Sequence, residues 1–294
     1  KDKRNKPARA LPALHTNLQQ LAADEDVLVW FGHSSYFMQL SGKTFLIDPV
    51  FSGYASPLSF TTPRFDGTDA YTAADMPAID YLLITHDHYD HLDYETMLAL
   101  RHKVKHVVTA LGVGEHLAYW GFDENIITEM DWHDAHALAA GFHITAVPAR
   151  HFSGRKFKRC PTLWTSFVLS TPEKKIFIGG DSGYDTHFAH IGNTHGPFDL
   201  AILECGQYNE YWKYIHMMPE ETVQAAEDLN ARVLMPVHWA KFSLALHAWD
   251  EPANRVSAAG TKQHMPLLLP AIGEKINLRK PVAPMGNDWW RDKM

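Results

Sequence analysis

The ten residues ITHDHYDHLD (84–93) end the apolar run IDYLLIT (79–85) and crowd three histidines and three aspartates together. A near-continuous apolar run reads as a strand buried on both faces, so the polar groups fall where the chain leaves a sheet. Side chains two apart on extended backbone point the same way, which lets His86 and His88 close on one ion. A turn then re-aims Asp90 and His91, expected on the first turn of the helix that LDYETM opens, toward a neighbouring position. Imidazole and carboxylate without thiolate suit a borderline divalent metal in an open, catalytic site. A plain polar surface turn is the alternative, and this composition makes it a poor one. Asp87 and Asp93 are the acids of the stretch expected to support or cap rather than ligate.

The rest of the chain alternates strand and helix signals. DVLVWFG (26–32), YFMQLS (36–41) and KTFLIDP (43–49) are short β-like runs split by small polar turns, an antiparallel meander. A long Pro, Ser and aromatic loop over 51–78 follows, suited to a rim or lid. YETMLALRH (94–102) reads as a helix, KHVVTA (105–110) as a strand and GVGEHLAYWG as a helix. NIITEM, HALAAGFHITAVPA, LWTSFVLST, KKIFIGGDSG and DLAILECG continue as strands. MPEETVQAAEDLNA (218–231) is a helix, and RVLMPVHWA (232–240) a strand. Residues 1–25 read as an N-terminal arm with a short helix, and 26–294 as one domain, with no interior linker or low-complexity segment.

One short motif cannot complete two coordination shells. PARHFSGR places His151 in a loop after a strand, FIGGDSGY places Asp181 in a glycine-flanked turn after another, and MPVHWAKF places His238 at a strand end. The glycines beside Asp181 would let backbone approach a ligand closely. Each of these residues alone is ordinary; with the first motif they make two sites of normal size.

Composition removes several classes. The 294 residues carry a formal net charge of −7 and no basic stripe beyond Arg155–Arg159, which disfavours a nucleic-acid partner. Two cysteines, Cys160 and Cys205, cannot build a disulfide framework or a thiolate zinc site. No window approaches the roughly 18–20 apolar residues of a spanning helix. The chain opens on Lys, so an upstream signal or anchor could have been removed, which leaves the cytoplasm and a periplasmic or membrane-associated setting in a bacterium both open.

The order HxHxDH, then His, Asp and His, resembles the metallo-β-lactamase fold superfamily. The words WFGHSSYFMQL, LIDPVF, PARHFSGR, FIGGDSGY and HMMPEETVQAAEDLNARVLMPVHWAKF are similar to its branch of N-acyl-phosphatidylethanolamine-hydrolysing phospholipase D and bacterial relatives. The resemblance covers nearly all of 27–255 and implies an α/β fold, an αββα sandwich of two mixed sheets with the site at one edge. It implies that His86, His88 and His151 hold one divalent ion, that Asp90, His91 and His238 hold a second, and that Asp181 bridges. Zinc is the default metal, with manganese or iron as alternatives. The implied activity is hydrolysis by a metal-bridging hydroxide, a phosphodiesterase on a phospholipid-like or small anionic ester being favoured. A lactonase or other carbonyl ester hydrolase, and a non-catalytic metal-binding or sensing module, are the competing readings.

Asp90 and Asp181 are expected to set charge and orientation, and the resemblance turns His216, before the helix MPEE, toward substrate. Weaker substrate candidates are His33, Arg155 with Lys156 and Lys158, Tyr184, Tyr208, and the loop aromatics Phe51, Tyr54, Phe60 and Phe65. Relatives often read HWGTF where this chain has HWAKF; Lys241 could face an anionic substrate, and solvent is the favoured expectation for it. The partner expected is a small or lipid-like substrate, with peripheral membrane contact compatible and oligomeric state open.

Overall fold

Alternation within the apolar runs becomes two buried faces per sheet in the computed structural model, which describes residues 4–155, 159–279 and 288–291. Strands β1 (Val27–Trp30), β2 (Tyr36–Leu40) and β3 (Lys43–Ile47) form the expected antiparallel meander. Next to β3 lie β4 (Ile79–Ile84), β5 (Val104–Ala110) and β6 (Ile127–Met130), all parallel to it. The second sheet holds β7 (Ala135–Ala139), β8 (Phe142–Val147), β9 (Ser166–Ser170) and β10 (Lys175–Ile178), paired antiparallel. It continues in β11 (Leu200–Glu204) and β12 (Leu234–Val237), parallel to β10. A short β13 (Lys275–Asn277) closes the first sheet against β1.

Trp30, Phe45, Ile47, Tyr81 and Leu83 face the second sheet and join Ile144, Phe167 and Ile178 in the inter-sheet core. Their sequence neighbours Val29, Phe31, Leu46, Leu82 and Ile84 face outward, where α1 (Tyr94–Leu100) and α2 (Gly114–Tyr119) supply Met97, Leu100 and Leu117. Helices α3 (His187–His195), α4 (Pro219–Asp228) and α5 (Glu251–Gln263) cover the second sheet through Phe188, Val223 and Val256. Helix, sheet, sheet, helix is the αββα sandwich, and burial on both faces is why strands such as β1, β4, β11 and β12 read as near-continuous apolar runs.

Among the described helices and strands, α3, α5 and β13 are additions to those read from the sequence. The α3 segment, HFAHIGNTH, is poor in helix formers and is held by burial of Phe188 and Ile191 rather than by propensity. In the N-terminal segment the expected helix is one three-residue 3-10 turn, Leu18–Gln20, while Leu11 and Leu18 are buried in the core. Cys205 is buried and Cys160 exposed.

Candidate metal centre

The strand ends decide the site. His86 and Asp181 follow β4 and β10, His238 follows β12, and His151 lies in the loop after β8, so both sheets deliver side chains to one edge. The motif itself folds differently from expectation at one point. Helix α1 starts at Tyr94, so Asp90 and His91 lie in the turn before it, where the His88 carbonyl accepts from the amides of His91 (3.1 Å) and Leu92 (2.8 Å). Asp93 takes the N-cap position but turns its carboxylate to the Ser52 amide, 2.9 Å, and to the Thr96 hydroxyl, which ties the rim loop to the helix. Asp87 is buried and accepts from the Gly154 amide at 2.6 Å, joining the motif to the His151 loop.

All seven residues converge. Nδ1 of His88 lies 3.0 Å from Nε2 of His86 and 3.1 Å from Nε2 of His151, three ring nitrogens aimed at one point. Asp181 Oδ2 stands 3.2 Å from His91 Nε2, 3.8 Å from His151 Nε2 and 3.9 Å from His86 Nε2, so its carboxylate lies between the two halves. Asp90 Oδ2 is 3.6 Å from His91 Nε2 and 3.9 Å from His238 Nε2. His91 Nε2 and Asp181 Oδ1 are buried and make no hydrogen bond. Orphaned buried donors and acceptors are costly unless something meets them, and imidazole and carboxylate are what a divalent cation takes. The donor set therefore fits a metal.

The charges agree. Burial lowers the pKa of His86, His151 and His238 well below the usual value, keeping them neutral as ligands must be. Burial also opposes charge on Asp90 and Asp181, yet the histidines around them outweigh it and both are held well below the carboxylate range. Against its own burial, His91 is pushed well up by Asp181 and Asp90, and its proton offsets the two buried carboxylates as a cation would.

A family description, Beta-lactamase superfamily domain, matches residues 43–239. The chain belongs to that superfamily. An uncharacterised protein of Mycobacterium tuberculosis is 39% identical over 98% of this chain and 77% of its own length. The N-acyl-phosphatidylethanolamine-hydrolyzing phospholipase D 1 of Caenorhabditis elegans is 29% identical, covering 73% of this chain and 64% of that protein. A UPF0173 metal-dependent hydrolase of Caldivirga maquilingensis is 27% identical over 85% of this chain and 97% of its own length. Among solved structures, a metallo-hydrolase of Ignicoccus hospitalis superposes with a TM-score of 0.65 at 22% identity, over 85% of this chain and 97% of that one. The chain is thus a metal-dependent hydrolase of the metallo-β-lactamase fold, similar to its phospholipase D branch, with a His/Asp cluster able to bind metal.

Around the superfamily's cluster, the side chains that orient it are mostly ones the sequence did not single out. Asp48 accepts from Nδ1 of His91 at 2.8 Å and from the Thr85 hydroxyl at 2.7 Å. Ser34 Oγ meets His238 Nδ1 at 2.9 Å, Thr85 Oγ1 meets His86 Nδ1 at 2.9 Å, and the Ile215 carbonyl meets His151 Nδ1 at 2.9 Å. Such partners fix ring orientation and tautomer. Glu204, buried at the end of β11, binds His216 Nδ1 with Oε2 (3.2 Å) and the Met217 amide with Oε1 (2.9 Å). An acid at the end of a buried strand was the available signal. His33 is fully buried and touches Asp90 Oδ2 at 2.9 Å, so it supports a candidate ligand and does not reach the cleft.

The cleft over the cluster is a cavity of about 290 Å³ lined by His88, Asp90, His151, Asp181, His216 and His238 with Phe152, Trp212, Ile215, Leu244 and Gln207. Other candidates lie elsewhere. Arg155 donates to the carbonyls of Asp87 (2.9 Å) and Leu92 (2.6 Å) and stacks on Tyr89, bracing the motif from behind. Lys156 and Lys158 lie outside the described residues. Tyr184 and Tyr208 are tied to Asp228 (2.6 Å) and Glu251 (2.7 Å) and take no part in the cleft lining. Phe65 is core, Phe51 packs on Phe31, Phe60 is exposed, and Tyr54 binds Glu95. Lys241 corrects both expectations: at 2% exposure it faces neither solvent nor cleft, and Nζ donates to the carbonyls of Val50 (2.8 Å) and Phe31 (3.2 Å). The expected close approach at the Asp181 turn is to protein: a Cβ on Gly180 would sit 2.5 Å from the Thr165 carbonyl oxygen.

Proposed function

We propose that the protein is a phosphodiesterase acting on a phospholipid-like or small anionic ester with two divalent ions, zinc in the first instance. One ion falls to His86, His88 and His151, the other to Asp90, His91 and His238, with Asp181 shared. When bound, such ions supply Lewis-acid polarisation and water activation. The observation that carries the phosphodiester reading is the His216–Glu204 pair set into an amphipathic cleft. With Nδ1 engaged by Glu204, the edge of His216 left for substrate is Nε2. Burial opposes its charge, but Glu204, with Asp181 and Asp90 adding to it, outweighs that and raises the His216 pKa to about 9, which suits the ring to holding a proton for a departing alkoxide.

The rim suits a molecule with an anionic centre and an apolar tail. Phe152, Trp212, Ile215 and Leu244 line the cleft, while Arg159 stacks on Phe152 at 4.5 Å and Arg150 on Tyr214 at 4.4 Å. Tyr211, 93% exposed beside Trp212, and Tyr214 extend this surface outward, which supports peripheral contact with a lipid interface. Among the described residues no helix is long and apolar enough to cross a membrane. The relatives that bear the phospholipase D name support the same reading.

The test is release of phosphatidic acid from labelled N-acyl-phosphatidylethanolamine by metal-loaded protein, alongside lactones and thioesters. We expect metal-dependent phosphodiester cleavage, abolished in Asp181→Asn. Turnover confined to lactones would overturn the reading in favour of carbonyl ester hydrolysis. Full folding and metal loading without turnover of any ester would favour a sensing module.

A further inference from the structure

Lys241 is a buried amine that the chemistry above does not use. We propose that it is a positioning residue, which holds three backbone turns together and thereby sets the affinity of the Asp90–His91–His238 half of the centre for its divalent cation. The inference rests on the two-ion reading.

One side chain spans three segments. Lys241 lies three residues beyond His238, and its Nζ donates to Phe31 O, at the start of the turn that carries His33 and Ser34, and to Val50 O, two residues after Asp48. Each segment holds a non-glycine residue in the left-handed region: His33 (φ 54°), Asp48 (φ 39°), and His238 (φ 70°) with Ala240 (φ 62°). Such conformations persist only where the surroundings over-determine them. Backbone bonds already link two of the turns, His33 N to Trp239 O at 2.8 Å and His238 N to His33 O at 3.0 Å. Ser35 joins the third, its hydroxyl donating to Asp48 O at 2.7 Å and accepting from Val50 N at 3.1 Å, and the lysine is the side chain that hydrogen-bonds this junction from the His238 segment.

What these turns deliver is selective. His33 supports Asp90 (2.9 Å), Asp48 supports His91 (2.8 Å) and Ser34 supports His238 (2.9 Å), one partner for each residue of that half. The other half is held differently: His151 by the Ile215 carbonyl at 2.9 Å, and His86 by Thr85, one step removed from Asp48. The buried amine suits the task. Burial lowers its pKa to about 7, and the two hydrogens of a neutral amine match the two carbonyls it meets.

The test titrates the metal-free protein with Co²⁺ and Zn²⁺, reading binding by calorimetry and the cobalt d–d bands. Wild type is expected to bind two ions. In Lys241→Met, which keeps length but has no side-chain N–H, one of the two steps stays unchanged and the other weakens by about 10–100-fold, with unaltered circular dichroism. Lys241→Arg, which keeps donors, recovers part of that loss. Equal weakening of both steps, or two wild-type affinities in Lys241→Met, overturns the role of Lys241 while leaving the two-ion reading intact. A wild type that takes up one ion overturns the two-ion reading, and the inference with it. Should Lys241→Met fail to fold, Lys241→Thr is read in the same way.

Discussion

Lys241 also shows how a single side chain couples stability to pH. Its folded pKa is depressed by burial, with Asp93 and Asp69 opposing that and Arg64 reinforcing it. Below about pH 7 both folded and unfolded chains hold the proton, and the cost of a buried ammonium is fully present. Above it the folded amine is neutral while the unfolded one stays charged up to ~10.4, so the unfolded state binds more protons and stability rises with pH. We expect the denaturant midpoint of wild type, relative to Lys241→Met, to increase from pH 6.5 to pH 9. A flat difference would mean that the lysine titrates alike in both states. The variant also leaves two buried carbonyls unpaired, which costs ~1–3 kcal/mol apiece. The same scale explains why Asp48 and Glu204 were not singled out in the sequence. A lone acid in LIDPVF or AILECG is unremarkable until the fold brings His91 or His216 to it.

Strand ends are the unit that builds the centre, and their close backbone approaches are where it is most sensitive. Just beyond β11, Gly206 lies against the carbonyl of His238, and a Cβ there would overlap that oxygen. Gly206→Ala should therefore push the His238 turn away without unravelling β11. The expected result is native circular dichroism with metal affinity reduced about 10–100-fold, the range for disturbing a ligand's support. Unchanged affinity in a zinc competition assay would show that the turn can yield elsewhere. The strands themselves were legible because burial on both faces leaves apolar runs, and the meander because its turns are short and polar. Helix α3 was not, since its weak propensity is overridden by packing on the second sheet, whereas α5 carries its own signals, Glu251 and Pro252 in the first turn and Lys262 in the last. Asp90 and His91 fall in the turn before the helix because Asp93, one of the acids expected to support or cap, takes the N-cap position.

Across the whole molecule, a tryptophan cluster backs the metal edge. Trp239, next to His238, packs against Trp30 (5.4 Å), Trp289 (5.4 Å) and Trp290 (5.8 Å), and Trp30 Nε1 donates to the His33 carbonyl at 2.8 Å. Trp290, 1% exposed, also donates to Asn254 on α5 at 3.0 Å, so residues late in the chain lock both a helix and a supporting turn. Trp290→Ala should lower unfolding free energy by about 3–5 kcal/mol, as large-to-small changes in a packed core do. A urea midpoint close to wild type would place the tryptophan outside the cooperative unit.

The sequence by itself determined the fold class and the chemistry of the donors. A buried strand leading into HxHxDH announces its period and its metal-binding residue types locally, and His151, Asp181 and His238 share the same strand-to-loop signature. Tertiary structure alone decided which groups orient those donors and where the lone cations go. Asp48, Ser34 and Glu204 act on partners 12 to 204 residues away. Lys241 reaches carbonyls 191 and 210 residues away. Contacts at such separations leave no periodicity and no motif, because they are set by how two sheets stack and not by how one segment folds.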